Sequence, residues 1–128
     1  MKAEKESALQ HEIGQRRPFR STAEEAVVGL LRTASLLWHR FAAVVEPHQI
    51  TFQQYNVLRI LQGAGLPLPT MEIGRRMIEP TPGITRLIDR LEAKGLVRRE
   101  PHPQDRRQVL CAIIPEGTRL VDILDILF

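Results

Sequence analysis

The stretch from Thr81 to Arg107 restricts the possible folds more than any other part of the chain. Its first half has apolar residues at the three-and-four spacing of a helix buried on one side: Ile84, Leu87, Ile88 and Leu91. At about 100° per residue, Arg86 and Arg90 fall on the opposite side. Gly95 follows where a left-handed residue commonly ends a helix. The pattern predicts a short helix with one apolar face and one arginine face.

Two stretches rich in β-type residues follow this helix, Leu96–Glu100 and Gln108–Ile114. Pro101–Asp105 lies between them and predicts the tip of a hairpin. The tip continues into Arg106 and Arg107, so it is strongly basic. A helix with an outward arginine face, followed by a basic hairpin, is typical of a recognition helix and its wing in proteins that bind duplex DNA.

The N-terminal part predicts a polar arm and two helices. Residues 1–20 have no sustained apolar period and are expected to form a flexible arm. Ser21 or Thr22 can cap a long amphipathic helix that ends before Pro47. Thr51 begins a second helix, with Gln54 placed to complete a capping box.

The remaining elements complete a helix-turn-helix pair and a C-terminal helix. After a loop over residues 66–69, Thr70 is expected to cap a short third helix that runs to about Met77. Pro82 is expected in the first turn of the arginine-faced fourth helix. Pro115 begins a last helix. The predicted fold class is therefore mainly α (α+β), a winged helix-turn-helix.

Positive charge is concentrated in the helix-and-hairpin segment. Residues 70–110 hold nine Lys or Arg and six Asp or Glu, whereas the rest of the chain holds nine of each. The whole formal net charge of +3 therefore lies in this segment. A localised basic surface favours a polyanionic partner. The charge distribution by itself is equally consistent with a charged surface that contacts only solvent.

Several functional classes lack support in the 128 residues. No apolar run is long enough for a membrane helix, and the N-terminus lacks the apolar core of a signal peptide. The single cysteine, Cys111, excludes an internal disulfide, so a buried, inert thiol in a reducing cytoplasm is expected. The four histidines form no metal pattern with it. Because no phosphate loop or nucleophile–base motif is present, we expect no enzyme, cofactor or metal.

From Ile50 to Gly117 the chain resembles the multiple-antibiotic-resistance-regulator (MarR) family of bacterial transcription factors. The matching phrases are Ile50–Leu58, Ile84–Arg99, the wing tip Asp105–Arg107 and Pro115–Gly117. The resemblance implies a winged-helix homodimer on a pseudo-palindromic operator, usually a repressor located in the cytoplasm on the nucleoid. It also implies a small aromatic or lipophilic ligand that releases the DNA.

The resemblance also implies a domain organisation. Residues 1–20 would be a flexible arm and 21–48 the long helix of a dimerisation lobe. Residues 49–114 would form the winged helix-turn-helix DNA-binding lobe, and 115–128 a C-terminal dimerisation helix. That last helix is short against the family's final helical pair, as in a truncated chain or a reduced lobe. Ile114 stands where the family commonly has a capping threonine.

The candidate DNA contacts lie on the third and fourth helices. Arg86 and Arg90 can each donate two hydrogen bonds to guanine in the major groove, or they can pair with Asp89 and Glu92 instead. The end of a recognition helix that points at base edges would hold Thr81, Pro82, Gly83 and Thr85. Thr81 is equally suited to capping the helix. Arg75 and Arg76 are candidates for phosphate contacts or for simple surface residues.

Further candidates come from the wing. By the resemblance, Arg107 enters the minor groove while Asp105 braces the loop. Strand alternation then turns Arg106 toward a phosphate. Asp89 would be repelled by phosphate, so we expect it to orient a neighbouring arginine.

Two questions remain open from the sequence. An effector crevice could be lined by Trp38, Phe41 and Tyr55, although aromatic residues on apolar helix faces are more often core. The alternative function is a winged-helix protein-interaction module without specific DNA binding.

Overall fold

The computed structural model describes residues 5–128. Along the chain the elements are α1 Ala8–Glu12, α2 Thr22–Val45, a 3-10 turn Glu46–His48, α3 Phe52–Ala64, β1 Leu68–Pro69, α4 Thr70–Arg76, α5 Ile84–Ala93, β2 Val97–Pro101, β3 Val109–Ile113 and α6 Pro115–Leu127. The mainly α class with a helix-turn-helix and a wing is confirmed. The chain divides into two compact units, Met1–Arg40 and Phe41–Phe128, and the boundary falls within α2.

The long helix α2 begins where the sequence predicts. The Ser21 hydroxyl accepts a hydrogen bond from the Glu24 amide at 3.0 Å, so Ser21 stabilises the first turn. The helix ends at Val45, before Pro47. Val45 is the one buried residue among its 24 residues. The predicted arm contains α1, which begins where the Ser7 hydroxyl accepts from the Gln10 amide at 3.1 Å.

Helix α3 is the centre of the second unit. The Gln54 amide donates to Thr51 Oγ1 at 3.1 Å and Thr51 N donates to Gln54 Oε1 at 2.9 Å, which confirms the predicted capping box. Gly65 ends the helix at φ 70°. The helix packs against α4, α5, α6 and β3. Because neighbours cover several sides, it buries Val57, Leu58 and Leu61 and the polar Gln54 and Asn56.

The helix-turn-helix differs from expectation at two caps. Thr70 is the first residue of α4 and not its cap, because the preceding Pro69 is extended and belongs to β1. Pro82 lies in the turn before α5, whose N-cap is Gly83. The Gly83 amide donates to Thr81 Oγ1 at 3.4 Å, which holds these residues in the turn.

The sheet has one strand that the sequence did not predict. The expected loop over residues 66–69 contains β1, which pairs antiparallel with β3 through Leu68 and Cys111. Two residues are too few to display alternation, and Pro69 suits an edge because it has no amide to donate. The strand order among the described residues is β1-β3-β2.

The connection from α5 to the wing follows the sequence closely. Gly95 has φ 72°, and the Leu96 amide donates to the carbonyl of Leu91 at 3.0 Å, as in a Schellman motif. The strands β2 and β3 lie within one residue of the predicted ends, with Val97 opposite Ile113.

Gly117 permits close packing between α6 and the start of the wing. A Cβ at this position would overlap the carbonyl oxygen of Leu96 and lie 2.8 Å from Cγ1 of Ile113. We therefore expect Gly117→Ala to lower the free energy of unfolding by about 1–3 kcal/mol, measured by urea denaturation.

Gly63→Ala is the matched control for this substitution. Gly63 lies in α3 and has open space around its missing Cβ. Alanine there should stabilise the protein by up to about 1 kcal/mol through helix propensity. Equal stability of the Gly117→Ala variant and the unsubstituted protein would contradict the close packing.

Candidate nucleic-acid interface

The outward face of α5 presents two arginines. Leu87, Ile88 and Leu91 are buried, whereas Arg86 and Arg90 are exposed. Within residues 5–128 neither guanidinium makes a hydrogen bond or ion pair. The alternative in which they pair with neighbouring carboxylates on the helix is therefore not what the structure contains.

The carboxylates of α5 bind Arg99 on β2 instead. Nη1 of Arg99 forms an ion pair with Asp89 and lies 3.6 Å from Glu92 Oε1. Nη2 donates to the carbonyl oxygen of Thr85 at 3.0 Å, and the Arg99 amide donates to Glu92 Oε2 at 2.8 Å. Asp89 does orient an arginine, and that arginine is Arg99. This one residue ties β2 to α5 and partly neutralises two carboxylates that would repel phosphate.

The N-terminal end of α5 is partly exposed to solvent. Pro82 and Thr85 are exposed, whereas Thr81 and Gly83 are half-buried. The Thr81 hydroxyl accepts from Gly83 within the turn, so its alternative role as the helix N-cap is wrong. Contact of these four residues with base edges stays a prediction.

The two arginines of α4 are less available than those of α5. The carboxylate of Glu72 accepts from Arg75 Nε at 3.0 Å and Nη2 at 2.5 Å, and from Arg76 Nε at 2.9 Å. These hydrogen bonds lower the pKa of Glu72 to about 2, and those from Arg75 have the larger effect. The shared carboxylate partly offsets both charges, and their contact with phosphate stays a prediction.

The wing tip is held by backbone hydrogen bonds. Asp105 Oδ1 accepts from the Arg107 amide at 3.0 Å, and the Asp105 carbonyl accepts from the Gln108 amide at 3.1 Å. Asp105 therefore contacts the backbone of Arg107 and not its guanidinium. The side chains of Arg106 and Arg107 are exposed and make no ion pair within the described residues.

His102 is a wing residue that sequence reasoning considered only as a metal ligand. Its Nδ1 accepts from the amides of Gln104 and Asp105, each at 3.0 Å. An acceptor that binds the amides two and three residues ahead usually belongs to Asp or Asn. The one sequence feature that could have indicated this role is the position of His102 at the start of the turn, where Asp or Asn commonly accepts such hydrogen bonds.

A cavity of about 670 Å³ opens beside α5 and the wing. Its lining combines apolar side chains with two arginines: Pro69, Thr70, Met71, Glu72, Thr85, Arg99, Arg107, Gln108 and Val109. Glu72 and Arg99 already pair with other residues, so Arg107 is the lining residue whose charge an anionic group could meet.

Two of the three predicted effector residues belong to an aromatic cluster made of Phe41, Phe52, Tyr55 and Phe128. The Tyr55 hydroxyl donates to Asp125 Oδ1 at 3.0 Å. Burial, together with this hydrogen bond, raises the pKa of Tyr55 to about 12. Trp38 belongs to the other unit. Packing explains Phe41 and Tyr55, and their role in binding a ligand stays a prediction.

Cys111 lies in β3 and is 0% exposed. Burial raises the pKa of its thiol to about 11, so the reactive thiolate is disfavoured at neutral pH. Among residues 5–128, no three His, Cys, Asp or Glu side chains group in a way that could hold a metal ion. In the same range, no helix has both the length and the apolar character needed to cross a bilayer.

The helix-turn-helix, the wing and the exposed arginines define the chain as a winged helix-turn-helix protein. Residues 48–108 match a family model described as the MarR family. The chain is 33% identical over 78 residues to the multiple antibiotic resistance protein MarR of Salmonella typhimurium, which is 61% of this chain and 54% of that protein. The match thus spans about half the length of that relative.

Solved structures extend the similarity over most of the chain. A MarR transcription factor from Planctomyces limnophilus is 35% identical, with a TM-score of 0.69 over 84% of this chain and 78% of that chain. NadR in complex with 4-hydroxyphenylacetate is 27% identical, with a TM-score of 0.71 over 85% of this chain and 77% of that chain. The chain belongs to the MarR family.

Proposed function

We propose that the chain is a sequence-specific regulator of transcription that binds double-stranded DNA as a homodimer in the bacterial cytoplasm. The observation that carries this proposal is the set of four exposed guanidinium groups with no ion pair among the described residues, on α5 and the wing tip: Arg86, Arg90, Arg106 and Arg107. Free arginines in such an arrangement match the phosphate and base edges of a duplex.

The spacing on α5 supports a position in the major groove. Arg86 and Arg90 are four residues apart and therefore adjacent on the helix surface. Each guanidinium can form a bidentate contact with guanine O6 and N7. At the N-terminal end, the exposed Pro82 and Thr85 would approach the neighbouring bases. These contacts would specify the sequence.

The wing supports a second contact on the same duplex. Arg107 would enter the minor groove, where narrow sequences concentrate negative potential. Arg106 would contact phosphate, and Asp105 would brace the tip. Arg75 and Arg76 would add weaker phosphate contacts, because Glu72 already binds both.

The homodimer proposal rests on apolar side chains that the chain itself leaves exposed. One face of α2 exposes four large apolar side chains: Val27, Leu30, Leu31 and Leu37. Helix α6 exposes Ile123, Ile126 and Leu127 at helical spacing as well. Because α2 buries only Val45, a second copy of the chain is the partner that would cover these surfaces.

We also propose repression that a small aromatic or lipophilic ligand relieves. NadR, a relative by structure, is described with 4-hydroxyphenylacetate bound. In this chain the cavity beside α5 combines Met71 and Val109 with Arg107, so an aromatic acid there would compete with DNA for that arginine. The crevice predicted at Trp38, Phe41 and Tyr55 is the other candidate site.

The DNA proposal is tested with duplexes selected from genomic fragments by the purified protein. Arg86→Ala should weaken binding to the selected duplex by about 1–3 kcal/mol and relax its sequence preference. Arg107→Ala should weaken binding with less change in preference at major-groove positions. Affinity should fall steeply with salt, because each neutralised phosphate releases counterions.

Arg119→Ala removes the same charge from α6, where Arg119 already pairs with Glu116 at 2.8 Å, and it should bind like the unsubstituted protein. Equal affinity of all three variants, or no binding to any duplex at low salt, would favour the protein-interaction module instead.

The dimer is tested with two leucines on α2. Leu30 is 71% exposed within the apolar face, whereas Leu36 is 56% exposed on the opposite side of the helix. Leu30→Glu should give monomers in analytical ultracentrifugation, because it places a charge in the interface. Leu36→Glu should remain dimeric. A monomeric unsubstituted protein, or a dimeric Leu30→Glu variant, would refute the proposed interface.

The ligand proposal is tested by adding 4-hydroxyphenylacetate to the complex with DNA. We expect the acid to lower DNA affinity more than acetate does at the same ionic strength. Trp38 is the chain's single tryptophan. Quenching of its fluorescence would support the crevice, whereas release of DNA without quenching would favour the cavity beside α5. If neither acid changes the affinity for DNA, 4-hydroxyphenylacetate does not regulate DNA binding by this protein.

A further inference from the structure

One imidazole nitrogen organises the tip of the wing. The residues between β2 and β3, from His102 to Gln108, lie outside the strand pairing and are mostly exposed. His102 Nδ1 accepts from the backbone amides of Gln104 and Asp105, each at 3.0 Å. The Asp105 side chain and carbonyl then bind the amides of Arg107 and Gln108. Hydrogen bonds thus connect the imidazole to the backbone of Arg107 in two steps.

The arrangement requires a neutral ring with its proton on Nε2. In that form Nδ1 has a lone pair that can accept hydrogen bonds. A protonated imidazole carries N–H donors on both nitrogens, so Nδ1 would then face two backbone donors and could bind neither. Histidine is also the side chain that changes charge in the mildly acidic range.

We propose that His102 is a positioning residue that makes the wing sensitive to protons. Its neutral ring holds the tip in the geometry that presents Arg106 and Arg107, and its protonation releases the tip. DNA affinity is then lost as the pH falls. The DNA part of this inference rests on the proposed function, whereas the ordering of the tip does not.

Other charged groups lie in the same hairpin. Arg98 and Glu100 form an ion pair on β2 with 3.4 Å between Nη2 and Oε2. Asp105, Arg106 and Arg107 are at the tip itself. Across the sheet, uncharged Val109 of β3 is opposite Pro101. These charges stay in place when the imidazole is replaced. A difference in pH dependence between the variants and the unsubstituted protein therefore reports on His102.

A simple electrostatic role would have the opposite sign. An imidazolium beside a duplex adds positive charge, which would strengthen phosphate binding as the pH falls. The proposed positioning role predicts weaker binding over the same range. The direction of the pH effect therefore separates the two roles.

The experiment compares His102→Asn and His102→Ala with the unsubstituted protein. Asparagine can accept the same amides through Oδ1 but does not titrate, whereas alanine removes the acceptor. At pH 8, His102→Asn should bind the selected duplex like the unsubstituted protein, and His102→Ala about fivefold to tenfold more weakly. Between about pH 8 and pH 5, the unsubstituted protein should fall to the level of His102→Ala at constant ionic strength. His102→Asn should fall less.

A second measurement needs no DNA. Protection of the Gln104 and Asp105 amides against hydrogen exchange, followed by NMR, should be present at pH 8 and lost toward pH 5 in the unsubstituted protein. It should persist in His102→Asn. Matching unfolding curves at pH 8 would verify that all three proteins are folded.

The two measurements test separately whether His102 orders the wing tip and whether the ordered tip supports DNA binding. If the amides lose protection with acid but no duplex binds at any pH, His102 orders the tip and the proposed DNA function fails. Amides that are unprotected at pH 8, or that keep their protection at pH 5, would overturn the role of His102. An affinity that rises toward acid, or that changes in parallel with His102→Asn, would overturn the link to DNA binding.

Discussion

The ion pairs of Arg99 with Asp89 and Glu92 determine how helix α5 presents its charge. They join β2 to α5 and leave Arg86 and Arg90 as the exposed cations of that helix. Because opposite charges attract locally, a helix with two carboxylates and two arginines could have paired its charges internally. Here the carboxylates take their partner from the wing, so the outward face of the helix is free to meet an anion.

Helix α3 provides the support for this arrangement. Its buried face packs against α4, α5, α6 and β3, and the Asn56 side chain accepts from the Ile78 amide at 2.9 Å at the turn of the helix-turn-helix. On the same helix, Tyr55 and Arg59 bind Asp125 of α6. The same helix therefore contacts both the turn that precedes α5 and the C-terminal helix, which exposes an apolar face.

Local patterns predicted the helix-turn-helix and its connection to the wing well. The apolar spacing on α5, the capping box of Thr51 and the left-handed Gly95 each depend on residues within one or two turns, so the sequence predicts them and the structure confirms them. The strand β1 was missed because two residues show no period. His102 was missed because histidine rarely replaces Asp or Asn as the acceptor of a turn.

By itself, the sequence determined where the longer helices and the two strands of the wing form, and that the excess positive charge lies between residues 70 and 110. Periodicity, caps and charge counts are properties of neighbouring residues, so they need no knowledge of the fold. Tertiary structure decided which arginines are free. Arg75, Arg76 and Arg99 have carboxylate partners, whereas Arg86 and Arg90 have none within the described residues. That difference depends on which side chains the packing brings within hydrogen-bonding distance, and Arg99 meets Asp89 only because β2 lies against α5.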